Sequence, residues 1–172
     1  MIDQYKGKYP QIDETTYVAP NATIVGDVKI GEKCSVWFQT VIRGDVAPTI
    51  IGNNVNIQDL SLIHQSPNMP VNLEDGVSIG HQVTLHSCTV RKNALIGMGS
   101  ILLDGVEIGE NAFIGAGSLL SPGTKIPPNT LAFGRPAKVV RILTDKDIQD
   151  MDRIRASYLE KGQYYKENVF TD

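Results

Sequence analysis

The residues of this chain with the clearest chemical potential are its three histidines, His64, His81 and His86, which fall in one short stretch of 172 residues. Neutral imidazole is the commonest protein ligand for a divalent metal, and three imidazoles hold Zn²⁺ with a position left open for reaction. On a helix, such ligands recur every three or four residues and so share a face. Here His81 and His86 are five apart in "SIGHQVTLHSC", and His64 lies seventeen residues before His81. On a strand, an odd spacing aims two side chains at opposite faces. The scaffold has to supply a geometry that neither regular element offers.

That scaffold is written in a period of six. Aliphatic residues recur at Val18, Ile24, Ile30, Val36 and Ile42, then at Ile51, Ile57 and Ile63, then at Leu73, Ile79 and Leu85. A last block runs Val90, Ile96, Leu102, Ile108, Ile114, Leu120 and Ile126. Six is neither the strand nor the helix period. It marks a hexapeptide β-helix, in which each hexad is one short strand plus a corner and stacked coils share one core. Glycine and asparagine near the corners tolerate the tight turns. Three hexads per coil predict an all-β solenoid of about six coils over residues 1–142. Three steps break the period: nine residues from Ile42 to Ile51, ten from Ile63 to Leu73, and five from Leu85 to Val90. The first predicts a loop around "VAPT" and the second an extrusion around "QSPNMP". The period ends after "AFGRPAKVVR", and residues 143–172 read as a C-terminal helix and tail packed on the prism. Thr144 is the predicted N-cap, with Gly162 near the end of the helix. Ile148, Met151, Ile154 and Tyr158 form the stripe that docks, and the tail beyond Tyr165 is expected to be loose.

Counting coils resolves the histidine spacing. His64 and His86 are 22 apart, one 18-residue coil plus the four-residue extrusion, so they share a corner on successive coils. Paired strands lie about 4.8 Å apart, and two imidazoles at that spacing converge on one ion. His81 lies on the preceding face, on the order of 15 Å along the chain from His86. It could join such a pair on a neighbouring chain if prisms packed around a threefold axis, a homotrimer that would hold three identical metal sites between subunits. Arg43 stacks one coil before His64, Asp59 stacks over His81, and Gln58 is beside Asp59. Across the interface Arg43 and Asp45 face Asp59, and Gln58 aims a neutral amide at whatever the metal binds.

Apolar residues make up 41% and charged residues 20% of the chain, with a net charge of −3. Scattered charge of this size gives no electrostatic support for nucleic acid or an anionic membrane. The N-terminal "MIDQYKGKYPQID" has no signal-peptide core, and no apolar run reaches the length of a span. Cys34 and Cys88 make no disulfide framework and read as packing residues in a reduced, cytoplasmic protein.

The chain resembles the γ-class carbonic anhydrases. The likeness covers nearly the whole chain, through "VIRGDVAPTIIGNNVNIQDLSLIH", "SIGHQVTLHSC", "LIGMGSILLDGVEIGENAFIGAGSLLSPGTKIP" and "GRPAKVVR". The histidine spacing with "RGD" and "NIQD" is specific, whereas "GRPAKVVR" is shared with other hexapeptide proteins. The resemblance implies a left-handed β-helix trimer that reversibly hydrates carbon dioxide to bicarbonate. It implies His64, His81 and His86 as ligands of Zn²⁺, with Fe²⁺ or Co²⁺ as alternatives. It also implies Gln58 near the metal-bound water, Arg43, Asp45 and Asp59 as interface charges, and Tyr158 as a helix residue reaching the site. The family archetype carries an acidic proton-transfer loop after its first histidine. Here the uncharged "QSPNMP" stands in its place and Val46 follows "RGD", as in shorter members with weak hydration activity. Two other readings stay open: a hexapeptide acyltransferase using acyl-CoA, and a metal-binding trimeric scaffold without turnover.

Overall fold

The computed structural model describes residues 1–170 and shows a left-handed parallel β-helix with one C-terminal helix. Every hexad aliphatic except the half-buried Val18 is buried, most of them completely. Equivalent positions stack coil on coil, with Ile79 opposite both Ile57 and Ile96 and with Leu85 opposite both Ile63 and Leu102. There are about seven turns rather than six. The chain extends the stack beyond the hexad run at both ends, with Ile2 beside Ile24, Ile12 beside Ile30 and Ala132 beside Ile114.

One face is an eight-stranded sheet that ends in an antiparallel pair, Thr130–Gly134 and Ala137–Ile142. The other two faces join into a twelve-stranded sheet, because Thr23–Ile30 and Val41–Ile51 turn a corner without breaking. The expected loop around "VAPT" is therefore not a loop. Its extra residues stay in a continuous strand as a bulge, with register Gly26 to Gly44 on one side and Val28 to Thr49 on the other. Two glycines permit this, since a Cβ on Gly26 would stand 2.4 Å from the Gly44 carbonyl oxygen. The bulge carries Asp45 toward His64. The second break is a true extrusion, a tight turn closed by Ser66 and Met69 with Asn68 at φ +61°.

Asparagines occupy left-handed corners as the composition suggests, at Asn54, Asn93, Asn111 and Asn129. Gln82 and Leu60 do so as well, at φ +58° and +64°, although neither residue type favours that region. They directly follow His81 and Asp59.

The helix Asp145–Asn168 starts at Thr144 through a reciprocal cap, with the Thr144 side chain on the Asp147 N–H and the Asp147 carboxylate on the Thr144 N–H. It runs back along the prism toward the first coils. Met151 packs with Leu95 and Leu143, Arg155 Nε donates to the Gly76 carbonyl at 3.0 Å, and Tyr158 and Tyr165 meet Trp37. Three sequence expectations need correction here. Ile148 lies in the first turn and is exposed, so the docking stripe runs Met151, Ile154, Tyr158, Gly162 and Tyr165. Gly162 does not end the helix; it is buried where a Cβ would stand 2.9 Å from Ser35 Cβ. The segment beyond Tyr165 is helical to Asn168, and Lys166 Nζ donates to the Thr16 carbonyl at 3.2 Å. Among the described residues, no helix is long and apolar enough to cross a membrane.

Two consequences are measurable. Gly162→Leu should lift the helix from the prism at an overpacking cost of about 1–3 kcal/mol. Trp37 fluorescence should shift as Tyr158 and Tyr165 withdraw, and a wild-type melt and spectrum would contradict this. The second concerns acid. Hydrogen bonds from Arg141 and then Thr144 hold the Asp147 carboxyl far below the usual carboxylate range. A depressed folded value means its stabilisation is complete above the unfolded pKa near about 3.9 and drains as pH falls below it. Asp147→Asn should therefore melt earlier at neutral pH, and its deficit relative to wild type should shrink steadily in acid. A deficit independent of pH would rule this out.

Candidate metal centre

The strands Leu62–His64 and Thr84–His86 pair in parallel with His64 opposite His86. Ile63 and Leu85 point inward, are fully buried and lock this register. A slip of one residue would turn them out to solvent. The two imidazoles therefore meet outside the prism, with ring centroids 5.2 Å apart and His64 Nδ1 3.2 Å from His86 Nε2. Each outer nitrogen meets a carboxylate. His64 Nε2 is 3.2 Å from Asp45 Oδ1, and His86 Nδ1 bonds Asp104 Oδ1. Asp45 also pairs with Arg43 through Oδ2. Burial raises the Asp45 pKa, but the Arg43 hydrogen bond and charge, helped by His64, bring it below the usual carboxylate range. Hydrogen bonds from Ser66 and then His86 do the same for Asp104.

These partners decide the tautomers. An ionised carboxylate only accepts, so His64 Nε2 and His86 Nδ1 carry the protons in the neutral rings. The facing nitrogens are then two lone pairs across 3.2 Å, an arrangement that asks for a cation between them. Two nitrogens each bonded at about 2.05 Å to one tetrahedral ion lie about 3.3 Å apart. The pair thus fits adjacent positions on such an ion.

His81 stands apart on another face, as its spacing predicts. Its Nδ1 is 2.8 Å from Asp59 Oδ2, and its Nε2 is 3.3 Å from the Tyr158 hydroxyl. Asp59 Oδ1 also accepts the Phe38 N–H at 3.2 Å, while its carbonyl takes the Gln82 N–H at 2.9 Å. Burial first, then the Asp59 charge, raises the Tyr158 pKa, so its hydroxyl stays a donor. Gln58 is buried, and its Nε2 donates to Asn56 Oδ1 at 3.0 Å, while Asn56 Nδ2 donates to Ser78 Oγ at 2.8 Å. This chain of amides leaves the Gln58 side-chain oxygen, Oε1, without a donor among the described residues, while the Gln58 backbone carbonyl accepts the Thr40 hydroxyl at 3.2 Å. A largely apolar cavity of about 320 Å³ adjoins these groups, lined by Gln58, His81, Met98, Phe113, Ile154 and Tyr158.

Among the described residues of a single chain, no three His, Cys, Asp or Glu side chains gather as a metal-holding group. The histidines form a pair and a single. Within the chain Arg43 pairs with Asp45, Asp45 with His64, and Asp59 with His81; the expected pairing of Arg43 and Asp45 with Asp59 involves a second copy. Cys34 and Cys88 are free and buried, and burial pushes their thiols up to about 11 and about 12, as packing residues require. Sequence reasoning missed Asp104 and Ser66. The coil arithmetic that aligned the histidines reaches Asp104 too, since it lies eighteen residues beyond His86.

The repeat and its closed core define a hexapeptide-repeat protein, and residues 87–122 match the model of the bacterial transferase hexapeptide family. A carbonic anhydrase of Geobacillus kaustophilus is 71% identical over 96% of this chain and 91% of its own length. An uncharacterized transferase of Bacillus subtilis, YtoA, is 68% identical over 96% of this chain and 97% of its own. Gamma carbonic anhydrase 2 of Arabidopsis thaliana mitochondria is 38% identical over 92% of this chain and 59% of its own. The crystal structure of a candidate acetyltransferase from Bacillus cereus superposes with a TM-score of 0.96, at 65% identity over 97% of each chain. The chain belongs to the γ-class carbonic anhydrase family of hexapeptide-repeat proteins.

Proposed function

We propose that this protein hydrates carbon dioxide reversibly to bicarbonate, as a cytoplasmic homotrimer with a divalent metal held between subunits. The observation that carries this reading is that His64 Nδ1 and His86 Nε2 face each other outside the prism, each ring braced from behind by a carboxylate. His81 Nε2 of a neighbouring chain completes the donor set. Exposed Leu60 and Leu62, which lead into His64, and exposed Val46 in the bulge offer an apolar surface for that neighbour to cover. The closely similar Geobacillus carbonic anhydrase supports the same activity.

Zn²⁺ at such a site, or Fe²⁺ or Co²⁺, supplies Lewis acidity that brings the ionisation of water into the neutral range. The chain supplies the rest. The carboxylates of Asp45, Asp59 and Asp104 hold the three imidazoles in one tautomer and orientation. The Gln58 side-chain oxygen Oε1, its amide fixed by Asn56 and Ser78, accepts a hydrogen bond from the attacking oxygen and aims its lone pair. The Tyr158 hydroxyl, 3.3 Å from His81 Nε2 in the single chain, would turn to donate to oxygen at the same place once that lone pair is given to a metal. The cavity walls of Met98, Phe113 and Ile154 offer an apolar surface to an apolar, linear substrate. With "QSPNMP" uncharged, no carboxylate lies in the extruded turn to carry the proton away, so exogenous buffer takes that part.

The test is metal content and stopped-flow hydration on anaerobically purified protein loaded in turn with Zn²⁺, Fe²⁺ and Co²⁺. Metal near one ion per chain with buffer-dependent hydration is expected. Stoichiometric metal without hydration would leave a scaffold and sink the enzymatic reading. Acyl transfer is the second reading. The cavity exceeds what carbon dioxide needs, and the YtoA relative is named a transferase. Turnover of acetyl-CoA with an acceptor panel, unaffected by chelation, would favour it.

A further inference from the structure

We propose that Asp104 is the positioning residue of His86, and that Ser66 makes the extruded turn part of the same device. This rests on the metal-site reading above. Both oxygens of the carboxylate are engaged: Oδ1 takes the His86 Nδ1–H, and Oδ2 takes the Ser66 hydroxyl at 2.7 Å. The carboxylate therefore cannot rotate away from the ring. Its backbone is equally constrained. Asp104 sits in the tight turn closed by the Val106 N–H on the Leu103 carbonyl, with Gly105 at φ +71°, and its own carbonyl accepts the Gly123 N–H at 2.8 Å.

Ser66 is the first residue of the turn closed by Met69, and its N–H donates to Ser87 Oγ at 2.7 Å. Ser87 directly follows His86, and its carbonyl accepts the Gly105 N–H at 2.8 Å. The turn, the strand end bearing His86 and the corner bearing Asp104 thus form a closed ring of hydrogen bonds around one imidazole. Asp45 and Asp104 differ in kind. Asp45 shares its charge with Arg43, whereas the polar side-chain partners of Asp104 are His86 and Ser66 alone among the described contacts. The effect of Asp104 is therefore directed at a single nitrogen. It places the proton on Nδ1 and leaves the Nε2 lone pair aimed at His64. The uncharged turn that replaces the acidic loop of the family archetype has a positioning use here, through a serine.

Two measurements test this. The first needs no metal: ¹⁵N–¹H correlation of the metal-free trimer at about pH 9, where an unperturbed imidazole is neutral. His86 is expected as the Nδ1–H tautomer in wild type and as a tautomer mixture in Asp104→Ala. An Nε2–H signal in wild type, or an unchanged spectrum in the variant, overturns the proposal whatever the protein binds. The second is competition for Zn²⁺ against a chromophoric chelator. Asp104→Ala should weaken binding by about 10–100-fold, the usual cost of losing such a partner. Asp104→Asn should fall between, since its amide oxygen still accepts, and Ser66→Ala should lose less than Asp104→Ala. The melting temperature of the metal-free variants should stay near wild type, which a merely structural role would not allow. Wild-type Zn²⁺ affinity in Asp104→Ala overturns the Asp104 assignment alone. A wild type that binds none of Zn²⁺, Fe²⁺ and Co²⁺ overturns the function proposed above, and the tautomer measurement then decides the positioning role by itself.

Discussion

Trimers assembled from His64→Ala and His81→Ala chains are expected to recover metal that neither parent holds. Each parent lacks one donor at every site, so its affinity should fall by more than the roughly 10–100-fold that loss of an outer partner costs. In a cyclic trimer, each site takes His64 and His86 from one chain and His81 from the next. Every mixed trimer then contains one junction where both contributing chains are intact. Random co-assembly should restore about a quarter of the wild-type metal and a similar fraction of hydration. Differently tagged chains, captured in series, isolate the mixed species. Mixed trimers that form and stay metal-free would exclude a site shared between subunits. The arithmetic also excludes the opposite error, because sites built within one chain would gain nothing from mixing.

Leu85→Ala should produce the largest loss of stability among single core substitutions near the site. Leu85 is fully buried, stacked between Ile63 and Leu102 and directly followed by His86. Removing a buried leucine leaves a cavity that costs about 2–5 kcal/mol, set by how far the surroundings collapse. In a solenoid the coils above and below share that core and have little freedom to close the gap. Denaturation at matched protein concentration measures the loss, since an assembled protein's stability depends on concentration. His86 should lose its alignment with His64, so metal affinity should fall alongside stability. A loss below about 1 kcal/mol would show the stack relaxing in a way that its packing does not suggest.

The scaffold and the histidine pair were legible because each depends on spacing alone. A six-residue aliphatic repeat buries its inward side only by stacking, and stacking converts sequence distance into position along the axis. This is why a separation of 22 residues places His64 opposite His86, and why the same separation sets Asp59 over His81. The count held across the insertions but did not give the shape of the inserted chain. The nine-residue step looked like a loop around "VAPT", yet two glycines let the strands stay in contact, and the bulge delivered Asp45 to His64. The helix was recognisable from its cap and Met151, Ile154 and Tyr158 dock as expected, but Ile148 does not, and the stripe continues through Gly162 and Tyr165. Contact with Ser35 and Trp37, not hydrophobicity along the helix, chooses the face, and a glycine can lie in that face where backbones come close.

The sequence by itself determined the period, hence the coil, the core and the column in which each histidine stands. Those features follow from which side chains avoid water and how often they recur. Only the tertiary structure decided that Asp45 stands behind His64, that Asp104 meets both His86 and Ser66, and that Tyr158 reaches His81 from 77 residues away. Such contacts depend on side-chain direction and on backbone offsets of an ångström or two, which a hydrophobic repeat does not encode.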